Sequence, residues 1–137
     1  MCLEMVDTKS SADSVRAWKM TYVGWEAVWP PVCAVSHGPY SPGWNWVSPR
    51  WIWVSIHCRG DIQSRWGQCY PRGFHAWLTP EPPWDRIKIH GLLIPVWLAG
   101  IRATGTEYEA PVAVAEAMYI DPEVYRRALA GQPMSSQ

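Results

Sequence analysis

The sequence predicts a mainly β or α+β fold: a twisted antiparallel sheet or small barrel, with long proline-rich loops and one C-terminal helix. Three observations carry that expectation. Thirteen prolines are spread over 137 residues, and each removes a backbone donor and clashes with a continuing helix. Several segments alternate their apolar residues with period two, as strands do. Only the C-terminal segment has a full set of helix start and stop signals.

Residues 1–13 read as a flexible polar tail, with Thr8, Ser10 and Ser11 among acids and little apolar periodicity. From Val15, "VRAWKMTYVGW" alternates as a strand, with Trp18, Met20 and Tyr22 expected to face the core and Val15, Ala17 and Lys19 on the other parity. "WPPVCAVSHGPYSPGW" holds four prolines and two glycines, so a long ordered loop is expected there. In "RWIWVSIHC", Trp51 and Trp53 alternate with Ile52, Val54 and Ile56. Both faces are apolar, which implies a strand covered on both sides.

"RIKIHGLLIPVWLAGIRATG" holds one long strand or two, with Gly91, Pro95 and Gly100 marking bends or bulges. "APVAVAEAMYI" sets Val112, Val114, Glu116, Met118 and Ile120 against small alanines, a face suited to bulky partners such as tryptophan. "DPEVYRRALAGQP" predicts the helix, over about 121–130. Asp121 is its N-cap, Pro122 fits the first position, and Glu123 favours the positive end. Val124, Ala128 and Leu129 give an apolar stripe, and Gly131 with Pro133 ends it. Residues 14–132 are expected as a single globular domain, and 133–137 as a second flexible tail.

Composition narrows the function classes. The chain is 48% hydrophobic and 18% charged, which favours a folded globule over a disordered chain. Twelve basic residues balance twelve acidic ones, so no overall field draws the protein to nucleic acid. The best apolar stretch, Leu92 to Ala99, is about half a membrane span. The first residues lack the basic and hydrophobic regions of a secretory signal. Cys2, Cys33, Cys58 and Cys69 are irregularly spaced, and they read as reduced thiols of a cytoplasmic protein rather than a disulfide framework.

Eleven tryptophans stand against one phenylalanine. Most must fill the core, but rings in proline-stiffened loops also present rigid surfaces at low entropic cost. In "WNWVSPRWIWV", Pro49 separates two pairs. Trp51 and Trp53 read as core strand, whereas Trp44 and Trp46, in a Gly43–Pro49 loop, read as a binding surface. Trp66 and Trp84, with Arg50 and Arg72 from the arginine-bearing centre, complete the expected docking set.

Other groupings could carry chemistry. His57, Cys58, Cys69 and His75 are of zinc-ligand type, although adjacent His57 and Cys58 would point to opposite faces of a strand. Cys58 or Cys69 with a histidine could form a thiolate–imidazole pair. His75 reads more simply as a core histidine with a backbone partner. Glu107 and Glu109, in "GTEYEAP", are paired carboxylates in a turn before a late strand.

That E-x-E element resembles the catalytic loop of arginine-type mono-ADP-ribosyltransferases, which place an arginine on an early strand. The resemblance implies NAD as cofactor and Arg16, Glu107 and Glu109 as catalytic residues. The family's middle Ser-Thr-Ser is represented here only by Ser55. "CYPRGFHAWLTPEPPW", followed by "GIRATGTE" and "APVAVAEAMYI", is similar to a loose group of small phage and actinobacterial proteins. These carry a C-x2-3-G-[F/I]-[H/Y]-A element before a strand–glycine–strand unit. The likeness covers Cys69 to Ile120 and implies no particular activity.

The leading expectation is therefore a small cytosolic binding protein without a cofactor, encoded by a phage or mobile element. It would dock an aromatic and arginine surface on a host protein or complex and so inhibit it. An NAD-using ADP-ribosyltransferase is the first alternative, and a zinc-stapled nucleic-acid binder the second.

Overall fold

The computed structural model describes residues 5–7, 13–29, 39–46, 73–82, 91–107 and 109–132. These residues form one antiparallel sheet and a single C-terminal helix. The strands are β1 (Met5–Asp7), β2 (Val15–Gly24), β3 (Ala27–Trp29), β4 (Gly43–Trp46), β5 (Phe74–Trp77), β6 (Leu92–Glu107) and β7 (Ala110–Ile120). The helix α1 spans Pro122–Leu129. The segment "RWIWVSIHC" lies outside the described residues.

The long hairpin of β6 and β7 is the spine. On its outer side β6 pairs with β2 and then β1, while β7 pairs with β5 and then β4. β5 also touches β2 through Trp18 and Trp77, which closes a circuit β2–β6–β7–β5. That last link is a single residue pair, so the architecture is a twisted sheet curling on itself rather than a regular barrel. Sequence expectation and structure agree on this class. Inside the stretch expected as a flexible tail, however, Met5–Asp7 is a strand paired with β6.

β6 is one strand, not two. Pro95 sits within it opposite Trp18 of β2, just before the register with β7 begins at Trp97. Gly100 takes φ 67°, and the register slips by one residue between Ile101 and Ala103. A β-bulge next to a left-handed glycine lets a long strand bend without breaking. Here it allows β6 to serve β2 with one half and β1 with the other.

The curled sheet buries both faces of its central strands. One cluster joins Ala17, Ile94, Val96, Leu98, Met118 and Ile120 to Ala128 of the helix. The second packs Trp77 on Val112, Val114 and Ala103, with Trp18 and Leu93 at its margin. The bulky partner expected for the valines of β7 is thus Trp77.

Two-sided burial also corrects β2. Of the expected core face only Met20 is buried; Trp18 is half-buried and Tyr22 exposed. Ala17, Lys19 and Thr21, on the other parity, are all buried. Parity was legible, but the number of covered faces was not.

The helix begins as its sequence predicts. The Asp121 side chain accepts from the Glu123 N–H at 2.8 Å, and proline occupies the first turn. Gly131, at φ 68°, ends it. Its apolar stripe differs in one member: Leu129 is exposed, and Tyr125 packs inward instead. The Tyr125 hydroxyl donates to the Tyr40 carbonyl at 2.7 Å and accepts from the Val28 N–H at 3.4 Å. One phenol therefore ties α1 to β3 and to the Val28–Tyr40 bridge.

Candidate functional site

Trp44 and Trp46 lie on β4, the outermost strand of the sheet among the described residues, and not in a loop. The glycine and prolines around them suggested a loop, but pairing with β7 draws four residues into the sheet, tertiary context overriding propensity. The turn before β4 is held by Asn45, whose side chain accepts from the Ser41 N–H at 2.8 Å and donates to its carbonyl at 2.9 Å. Residues two apart on a strand share a face. The two indoles accordingly stack, centroids 5.7 Å apart and planes at 29°.

The row continues across the sheet. Trp44 pairs with Tyr119, Tyr119 with Trp97, and Trp97 with Arg16. The Trp44 and Tyr119 rings are 5.3 Å apart. The Arg16 guanidinium carbon sits 5.1 Å above the Trp97 ring, a cation–π contact. Four strands at ordinary spacing make this a strip about 14 Å long. Trp46 is 67% exposed, Trp44 46% and Trp97 42%, so a ladder of large rings faces solvent where a soluble sheet ordinarily places polar groups.

Of the expected docking set, Trp44 and Trp46 are therefore surface groups. Arg50, Trp66, Arg72 and Trp84 lie outside the described residues. Trp97, Tyr119 and Arg16 were not part of the expectation for this surface. A signal was present: Trp97 stands between Val96 and Leu98, and Tyr119 between Met118 and Ile120. If those neighbours fill the core, strand alternation turns the aromatic residues outward.

Of the residues grouped as an NAD site, Arg16 lies on β2, Glu107 ends β6 and Glu109 lies in the turn before β7. Glu107 is buried at the end of β6, while Glu109 is exposed in the following turn at φ 68°, so the two carboxylates do not share a surface. Glu107 affects the charge balance of Lys19, which lies on the opposite face of β2 from Arg16. Lys19 is 2% exposed and donates to the His75 carbonyl at 2.6 Å. Burial pushes its ammonium down to about 8, with Glu107 raising it part of the way back.

His75 is buried on β5, its Nδ1 3.1 Å from the Gly73 carbonyl. The other residues of zinc-ligand type, His57, Cys58 and Cys69, lie outside the described residues. Among the described residues no group of three or more His, Cys, Asp and Glu side chains is placed to hold a metal ion, and no helix is long and apolar enough to cross a membrane.

Compared with family models, with curated proteins and with solved structures, the chain has no match. Its reading therefore rests on the geometry above.

Proposed function

We propose that this chain is a binding protein that presents the Trp46–Trp44–Tyr119–Trp97–Arg16 strip to a partner. The observation that supports this reading is the cross-strand register that lines up those side chains with three tryptophans exposed. Tryptophan, tyrosine and arginine dominate binding energy at protein interfaces. Rings held on paired strands lose little freedom on docking, so more of the contact energy appears as affinity. The partner is a host protein or complex, met in the cytoplasm, and covering its surface would inhibit it. That a phage or mobile element encodes the chain is carried by the sequence resemblance alone.

The test is affinity capture from a host lysate with the full chain immobilised. The parent should retain one partner in stoichiometric amount, and Trp44→Ser/Trp46→Ser should lose it with at most a small change in melting temperature. No stoichiometric partner, or one retained equally by the variant, counts against the proposal. The NAD-using alternative is separated by thermal-shift titration: a binding protein shows no stabilisation by millimolar NAD.

A further inference from the structure

The hairpin joining β2 to β3 turns through two residues, Trp25 and Glu26, with Gly24 paired to Ala27 across it. Both turn residues are left-handed, at φ 49° and 59°. Two-residue hairpin turns of that hand select Asn and Gly, which tolerate positive φ. A bulky side chain there is an outlier, and such strain persists where something else requires the residue. Burial does not account for Trp25, which is 84% exposed.

The turn instead assembles rings. Trp25 stands at 83° to Trp29, centroids 6.2 Å apart. Trp29 is anchored by its Nε1–H, which donates to the Gly24 carbonyl at 2.8 Å. Tyr22 is the cross-strand partner of Trp29 and is half-exposed. Its ring lies close against Gly24, where an added Cβ would stand 3.0 Å from Tyr22 Cε1. Three aromatic rings thus gather at one tip, and the exposed Glu26 sits next to Trp25 in the turn. Glu26 is also the single acidic or basic residue (histidine aside) between Lys19 and Arg50.

We propose that this tip is a recognition site for a cationic group, the ammonium or guanidinium of a lysine or arginine on a partner protein. Perpendicular ring faces carry the negative side of the aromatic quadrupole, and they attract a cation most strongly when several converge on it. Glu26, exposed and next to Trp25 in the turn, brings an acidic side chain's charge to the tip. The same charge disfavours an acidic ligand. The site is independent of the aromatic strip, whose member on β2 is Arg16 at the other end of the strand.

The experiment uses the full chain and a minimal probe. Tetramethylammonium chloride is titrated against sodium chloride at matched ionic strength, following the indole N–H resonances of Trp25 and Trp29. A saturable shift with the organic cation alone is the expected result. Trp25→Asn/Glu26→Gly installs the residues the turn prefers, so it should melt higher than the parent yet bind about tenfold more weakly. Glu26→Gln leaves the rings in place and should show a smaller loss. Equal, unsaturable drift in both salts overturns the site, as does a double variant that binds like the parent. A double variant that melts lower assigns Trp25 to holding the hairpin together and overturns it equally.

Discussion

Arg16 and Lys19 sit three residues apart on the same strand, yet β2 delivers them to different environments. Arg16 lies over the ring of Trp97 on a face whose aromatic row reaches solvent. Lys19 is turned the other way, among Ala17, Ile94 and Val96, with a backbone carbonyl for its ammonium. Both are cations with long apolar stems, and composition treats them alike. Strand parity separates them, and the curl of the sheet decides that one face is sealed and the other partly open. A buried lysine is the cation most readily shifted by desolvation.

The largest effect is expected at Lys19. Lys19→Ala deletes a buried stem and leaves the His75 carbonyl without its donor; a loss of about 3–5 kcal/mol in denaturant-monitored unfolding is expected. Lys19→Met keeps the stem and removes the charge, so it should fall well short of that loss. If both variants lost the same, packing would not be what the stem contributes.

The buried ammonium also makes stability depend on pH. Lys19 is lowered from 10.5 to about 8 in the folded protein, so between those values the unfolded chain binds more protons. Stability should therefore rise as pH increases through 8, by up to about 3 kcal/mol if the whole shift is expressed. Burial raises the Tyr40 phenol above its ordinary value of 10. Above about pH 10 the unfolded chain sheds a proton that the folded one retains, and stability should turn down again. The rising arm should vanish in Lys19→Met and survive in an Arg16 variant.

Smaller effects belong to the open face. Trp44→Ser/Trp46→Ser should change stability by less than about 1 kcal/mol, since both rings are well exposed, while costing about 2 kcal/mol or more in partner binding. A large fall in melting temperature would make the pair structural. The smallest effect is expected at Arg16→Lys, which keeps the charge but loses the flat guanidinium over Trp97. A loss of about 0.5 kcal/mol in stability, from paired unfolding curves, would fit an exposed cation–π contact.

Much of the architecture was legible along the chain because it depends on local rules. The cap at Asp121, the proline in the first turn and the stop at Gly131 are satisfied within a few residues, so the helix could be placed closely. Period-two alternation marked β2 and β7 for the same reason, while β6 was marked as one strand or two by an apolar run with Gly91, Pro95 and Gly100. The binding strip was only half legible: Trp44 and Trp46 stood out as a pair, but Trp97 and Tyr119 looked like parts of apolar strands. Their exposure follows from which neighbours fill the core.

Strand alternation, proline punctuation and helix caps are short-range chemistry, so the chain alone carries the β-rich character of the described residues and their helix at Pro122–Leu129. Only the tertiary structure decided which faces are covered, that Lys19 is buried and Tyr22 is not, and that residues far apart in the chain form one aromatic row. Those outcomes depend on register between distant strands and on the bulge beside Gly100. A shift of one residue in pairing would send every side chain of a strand to its opposite face.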